Sequence, residues 1–259
     1  MIILKDLQKQ LYKLKNLLII MKINIIKSNQ RGLSELDWLY SRHSFSFSNY
    51  YDSKRIGFGV LKVLNDDIIA PSKGFGSHHH DNFEIVTIVL EGALEHKDSM
   101  GNKGIIKANE IQRMSAGTGI MHSEFNPSKK DKVHLLQIWI EPKENNIKPS
   151  YEQKNFFKLK INEFTSVVSG IRNNNSVYIH QNAYFSLGNF DADKDIDYKL
   201  HNVKNGIFLF VIEGEINIEN NLLKEGDTAE IQETSKVNFM TKKESKIIII
   251  EVPLGLTTR

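Results

Sequence analysis

The sequence predicts an all-β protein built as two β-barrels in one chain, and three observations carry this reading. From Ile23 onward, short apolar runs are broken by Gly, Pro, Asn and Asp roughly every 8–12 residues, the punctuation of a sandwich or barrel. Within the runs, side chains either alternate, as in Ser44-Phe45-Ser46-Phe47-Ser48, or are nearly all apolar on both faces, as from Ile85 to Leu90, where Thr87 is the only polar break. The second half also repeats the first. Phe210-Val211-Ile212-Glu213-Gly214 echoes Val89-Leu90-Glu91-Gly92, and the segment Lys224 to Ile231 echoes Lys107 to Ile111.

Residues 1–20 are the exception. Leu4, Leu7, Leu11, Leu14 and Leu18 recur at helical spacing with Lys5, Lys9, Lys13 and Lys15 between them, which predicts an extra amphipathic N-terminal helix. The lysines interrupt any secretory h-region, and no small-residue cleavage site follows. Three roles are open to the helix: docking on the body, lying on a membrane surface, or standing upstream of a true start at Met21.

Strands are expected at Phe45–Phe47, from Phe58 to Leu64, from Ile85 to Leu90 and from Leu135 to Ile140. In the last of these, Gln137 and Trp139 share one face and Leu136 and Ile138 the other, and Trp139 is assigned to the core. Asn145-Asn146-Ile147-Lys148-Pro149 is the expected linker. It divides the chain into residues 21–145, carrying the chemistry, and residues 146–259, a worn copy. His180 and His201 in the copy have no partner motif and are expected to be surface or packing histidines.

The 259-residue chain has ordinary apolar and charged fractions and a formal net charge of +3. No basic stripe interleaved with aromatics is present, which argues against direct nucleic acid binding. Cysteine is absent, so disulfides, thiol nucleophiles and iron–sulfur sites are excluded. No stretch reaches the roughly 18 apolar residues of a membrane helix. A cytoplasmic location is expected.

The chemistry lies between Gly74 and Asn126. On a strand, His78 and His80 point to one face and His79 to the other, and His122 and Glu124 have the same spacing. If the two segments are neighbouring strands, three imidazoles and a carboxylate converge. That donor set suits one divalent first-row metal and leaves positions open for a substrate. Gly117 and Gly119 stand where a tight return before His122 needs positive φ. Glu84 is a competing ligand. Glu84 and Asp81 are also candidates to accept the second N–H of a ligating imidazole. His96 and His43 are candidate pocket residues, and His134 is expected to be structural.

The order His-x-His, Glu-Gly after a β run, then Gly-x-x-His-x-x-x-Asn resembles the two cupin motifs. The longer wording is similar to the pirin family, and within it to bacterial pirin-like quercetinases. The carrying segments run from His43 to Asp52, Val63 to Asp67, Gly74 to His80, Leu90 to Gly92, Glu95 to Asn102, Met114 to Gly119, His122 to Glu124, Gln137 to Trp139 and Pro149 to Gln153. The likeness is dense over residues 21–155 and thin beyond. One departure is His79, where the family usually has a proline; the ligand positions themselves are kept.

This resemblance implies a bicupin of two jelly-roll barrels with a metal only in the N-terminal half. It implies His78, His80, His122 and Glu124 as ligands and Fe(II) as the ion, with other first-row metals acceptable to the same donors. It further implies a dioxygenase that opens a flavonol such as quercetin with O2 and releases carbon monoxide. Glu124 would take the proton of the 3-hydroxyl, and Phe75, Phe83, Met121 and Phe125 would wall the substrate. A second reading, also implied by the family, is an iron-dependent sensor that binds a protein partner without turnover. A third is a metal-dependent isomerase or another cupin oxygenase, since fold does not set function.

Overall fold

The structure is a computed structural model that describes residues 21–255. The helix expected over residues 1–20 lies outside the described residues. Among the described residues the regular structure is β throughout, apart from one 3-10 turn at Ser28–Gln30. The first half supplies β1 (Lys22–Ile26), β2 (Gly32–Leu36), β3 (Leu39–His43), β4 (Leu61–Ile69), β5 (Gly74–His80) and β6 (Glu84–Glu91). It continues with β7 (Ala93–Asp98), β8 (Lys103–Lys107), β9 (Glu110–Ser115), β10 (Ile120–Phe125) and β11 (Val133–Ile140). Then follow β12 (Ser150–Asn155), β13 (Thr165–Ser169), β14 (Val177–Tyr178), β15 (Tyr184–Phe190), β16 (Asp195–Lys199) and β17 (Asn205–Glu213). The chain closes with β18 (Glu215–Ile218), β19 (Asn221–Lys224), β20 (Thr228–Gln232), β21 (Lys236–Thr241) and β22 (Ser245–Pro253).

Each barrel pairs a seven-stranded sheet with a four-stranded one. The first combines β12-β9-β6-β11-β4-β3-β2 with β5-β10-β7-β8; the second combines β1-β20-β17-β22-β15-β13-β14 with β16-β21-β18-β19. The repeat seen in the sequence holds down to single hydrogen bonds. Glu110 accepts from the Lys107 N–H at 2.8 Å and Asp227 from the Lys224 N–H at 3.0 Å. Between them sit the left-handed residues Asn109 (φ 64°) and Gly226 (φ 77°), whose N–H groups reach Val89 and Val211 respectively.

The barrels exchange their outer strands. β1, from the start of the described chain, pairs with β20 of the second barrel, with Lys22 opposite Gln232 and Ile26 opposite Thr228. β12, which follows the Asn145–Pro149 segment, pairs with β9 of the first, with Ser150 opposite Ser115. The connection after β1 is tied to the second barrel as well: Asp227 accepts from the Ser28 N–H at 2.7 Å and from Lys27 Nζ at 2.9 Å.

The two seven-stranded sheets face each other through one continuous apolar cluster. Val86, Leu136 and Ile138 of the first meet Phe208, Phe210 and Ile248 of the second. This explains the doubly apolar run from Ile85 to Leu90. Its even-numbered residues Val86 and Ile88 fill the contact between barrels, while Ile85 and Val89 point into the first barrel. Thr87, the polar break in that run, also points inward and marks the site.

Candidate metal centre

The four-stranded sheet of the first barrel is organised on β10. β5 lies on one side of it, with His122 opposite His78 and Ile120 opposite His80. β7 lies on the other, with His122 opposite Asp98 and Glu124 opposite His96. The tight return before β10 uses Gly119 at φ 130°. A bulge between His122 and Glu124 lets β5 approach closely enough that a Cβ on Gly74 would meet the Glu124 carbonyl oxygen at 2.1 Å. Any side chain at position 74 would push the strands apart.

The donor atoms of His78, His80 and His122 lie within 4.8 Å of one another, and those of His96, His122 and Glu124 form an overlapping group of the same size. His79 points outward and is exposed, as the alternation requires. His80, His122 and Glu124 are buried and His78 is half-buried. Burial pushes the His80 and His122 rings down to about 3, and the neighbouring imidazoles add to the effect. Both rings are therefore neutral near pH 7, the form that coordinates metal. Neither nitrogen of His122 has a hydrogen-bond partner, although both are buried. Buried polar atoms are ordinarily satisfied, and a metal would satisfy one of these. The residues present fit a divalent metal. Among the described residues, both groups that could hold one are in the first barrel.

Support comes from positions that sequence reasoning did not single out. Gln137 donates from Nε2 to Glu124 Oε2 at 2.9 Å. The Thr87 hydroxyl donates to Gln137 Oε1 at 2.8 Å and lies 3.4 Å from Glu124 Oε1. His78 Nδ1 meets the Gly76 carbonyl at 2.8 Å, so Nε2 is the nitrogen left for coordination. The polar break at Thr87 and the Gln137 amide in an apolar strand were the available signals.

Glu84 is corrected by the structure. It is fully buried, but its carboxylate accepts from the His180 N–H at 3.0 Å, across the contact between barrels. The turn at Asn82 (φ 49°) breaks the alternation that would carry parity from His80 to Glu84. Asp81 is exposed, with its nearest basic group, His79 Nδ1, 3.9 Å away. His134 is structural, with Nε2 at 2.6 Å from Asp66. His180 and His201 each pack against a buried carboxylate, Glu84 and Glu251.

A cavity of about 410 Å³ opens onto His78 and Glu124. Its walls include Trp38, Phe47, Phe75 and Trp139. Of the four expected wall residues only Phe75 lines it. Met121 and Phe125 are exposed on the outer face of β10, and Phe83 packs on Trp139 from behind. Trp139 packs against the buried cluster of Ile85, Met114, Ala116 and Ile120, as expected, and it also lines the cavity and meets the His80 ring edge-on at 4.7 Å. One side of the ring thus meets core residues, and the barrel is hollow on the other. A polar end is built by Ser41, His43, Asn65 and Asp67. Ser34 Oγ meets His43 Nε2 at 2.8 Å, Asn65 Oδ1 meets His43 Nδ1 at 2.8 Å, and the Ser41 hydroxyl donates to Asp67.

The second barrel shows the same strands without the chemistry. β16 and β21 stand where β5 and β10 do, and their paired inward residues are Ile196 opposite Phe239 and Tyr198 opposite Val237. All four belong to that barrel's apolar core.

Comparison with known proteins places this arrangement. Residues 26–140 match the Pirin family and residues 166–252 match the quercetinase C-terminal cupin domain. A quercetin 2,3-dioxygenase of Escherichia coli (strain K12) is 39% identical over 233 residues, covering 89% of this chain and 99% of the relative. The crystal structure of the bacterial pirin YhhW from Escherichia coli in complex with nickel(II) superposes with a TM-score of 0.85 at 37% identity. That match covers 90% of this chain and 100% of the other. A quercetin 2,3-dioxygenase from Acinetobacter baumannii shares the fold at a TM-score of 0.68 and 19% identity, covering 86% and 85% of the two chains.

Proposed function

The chain belongs to the pirin family, and from that premise we propose that it is a metal-dependent dioxygenase that opens a flavonol such as quercetin with O2. One observation carries the reading: a cluster of imidazoles and one carboxylate stands at the inner end of an aromatic-walled cavity of about 410 Å³. That volume falls within the ~300–1,000 Å³ typical of small-molecule sites. A purely regulatory metal site needs no such slot, which favours turnover over sensing.

In this reading His78, His80, His122 and Glu124 hold the ion, and Fe(II) is the working metal. The ion would supply Lewis acidity toward the flavonol 3-hydroxyl and a route for dioxygen chemistry. Glu124 takes the 3-hydroxyl proton, because it is the carboxylate that both faces the cavity and belongs to the cluster. Gln137 holds that carboxylate in place while it does so. Trp38, Phe47, Phe75 and Trp139 sandwich the planar rings and exclude water from the reacting face. Ser41, Asn65 and Asp67 meet phenolic hydroxyls at the polar end.

The test is anaerobic reconstitution with Fe(II), followed by quercetin and air, with the Glu124→Gln protein alongside. Loss of the flavonol absorbance band with release of carbon monoxide, dependent on both metal and Glu124, is the expected result. Stoichiometric metal binding with the flavonol untouched would overturn it in favour of the sensor.

A further inference from the structure

We propose that Asn65, its amide turned by His43, and Asp67, held by Ser41, form a donor–acceptor pair that reads vicinal hydroxyls on the flavonol B ring, an assignment that rests on the flavonol reading of the cavity. The pair sets which flavonol is preferred, and His43 acts through Asn65 as a positioning residue.

The strand register brings these residues together. β3 and β4 pair with Ser41 opposite Asp67 and His43 opposite Asn65. Positions two apart on a strand share a face, and all four side chains line the cavity. None of the four is more than 3% exposed. On its other side β4 meets β11, with Asn65 opposite Gln137. The Gln137 amide is already committed to Glu124 and Thr87. Asn65 is therefore the next amide along the cavity floor, one strand spacing, about 4.8 Å, beyond the residue that holds Glu124.

The hydrogen bonds fix which atoms are left free. The Ser41 hydroxyl donates to Asp67 Oδ1, so toward His43 Nδ1, 3.3 Å away, it can only accept. Asn65 Oδ1, 2.8 Å from the same nitrogen, is also an acceptor. Burial holds the His43 ring below its ordinary value despite the bond to Asn65, so the ring is neutral near pH 7 and carries one proton. Both neighbours place that proton on Nδ1, and Nε2 accepts from the Ser34 hydroxyl at 2.8 Å. His43 thereby holds the carbonyl end of Asn65 and turns Nδ2 to the cavity. Among the described residues, Asn65 Nδ2 and Asp67 Oδ2 have no hydrogen-bond partner. Buried polar atoms are ordinarily satisfied, and two unpaired ones on the wall of a cavity suit a polar ligand.

A donor and an acceptor two residues apart on one face match a ring with adjacent hydroxyls. One oxygen accepts from Asn65 Nδ2 while its neighbour donates to Asp67 Oδ2. The B ring of quercetin carries such a pair. On the fused ring the 5-hydroxyl is bonded to the flavonol's own 4-carbonyl, so that ring offers only one free hydroxyl. The B ring is attached to the carbon beside the one bearing the 3-hydroxyl. A 3-hydroxyl at Glu124 therefore puts the B ring within reach of β4, one strand past Gln137.

Three flavonols form the test: quercetin with both B-ring hydroxyls, kaempferol with the 4′-hydroxyl alone and galangin with neither. Both tryptophans of the chain, Trp38 and Trp139, line the cavity. Quenching of their fluorescence in the anaerobic Fe(II)-loaded protein reads binding without turnover. Wild type is expected to bind quercetin about three- to tenfold more tightly than kaempferol, and kaempferol more tightly than galangin by a similar factor. Asn65→Leu and His43→Leu should each shrink the ratio of quercetin to galangin affinity. His43→Asn should restore it, because its amide N–H can stand in for Nδ1–H. Leucine and asparagine are of similar size, so a histidine that merely filled space would not separate them. Equal wild-type affinities for the three flavonols would overturn the proposal, and that comparison needs no variant. Quenching by none of them would overturn the flavonol reading itself, and the role of the pair with it.

Discussion

Gln137 donates its amide N–H to Glu124 at 2.9 Å, and the Thr87 hydroxyl fixes which end of that amide faces the carboxylate. Three strands thus cooperate on one oxygen pair: β6 orients β11, and β11 orients β10. A buried hydrogen bond to a charged group contributes about 1.5–3 kcal/mol. Gln137→Leu removes the donor while keeping the volume. Its metal affinity or kcat is expected to fall about 10–100-fold, read by chelator competition and by steady-state rates. Wild-type values in both assays would show that Glu124 needs no positioning.

His80 and His122 are neutral and buried before any metal arrives. Metal binding therefore stabilises the fold through a preformed site. Divalent metal at 100 times its Kd should stabilise the wild type by about 2.7 kcal/mol. His80→Ala should lose that increment entirely, while its melting temperature in chelator stays closer to the wild type. A metal-dependent rise in the melting temperature of His80→Ala would remove His80 from the donor set.

The site was legible where it rests on parity along one strand. His78 with His80, and His122 with Glu124, are i and i+2 pairs, and a β10–β5 ladder was enough to bring them together. What needs tertiary contact was not legible. Gln137 reaches Glu124 from a different sheet, so neither position marks the other. The core contact of Trp139 is legible from its strand face, but the cavity on its other side exists only in the assembled barrel. Glu84 fails because a left-handed Asn82 resets the alternation. The strand exchange is likewise silent in sequence, since β1 pairs with residues some two hundred positions away.

Asp67 gives a pH signature. Burial pushes its carboxyl up to about 7, with the nearby Asp66 and Glu124 charges adding to the effect against the Ser41 hydrogen bond. Its folded value exceeds the unfolded one, so between about pH 4 and 7 the folded state holds a proton that the unfolded state has lost. The contribution to stability is full below that window and is lost as pH rises through it. Asparagine cannot ionise. In chelator-treated protein, Asp67→Asn should gain on the wild type by about 2–3 kcal/mol between pH 5 and pH 8, measured by urea unfolding. Parallel stability curves for the two proteins would mean that Asp67 is ionised throughout.

Trp139 separates substrate binding from metal binding. Its ring contacts His80 at 4.7 Å, Phe47 at 5.4 Å and Phe83 at 5.5 Å while lining the cavity. Aromatic contacts of this kind contribute about 0.5–1.5 kcal/mol each beyond buried area, and a tenfold change in affinity is about 1.4 kcal/mol. Trp139→Leu keeps an apolar wall but removes the flat surface against which planar rings would stack. The KM for a flavonol is therefore expected to rise about tenfold, with metal content unchanged because no donor is altered. A fall in metal content at unchanged KM would instead make Trp139 a support for the His80 ring rather than a wall of the substrate slot. Measuring both quantities on one preparation distinguishes the two roles, because they move different observables.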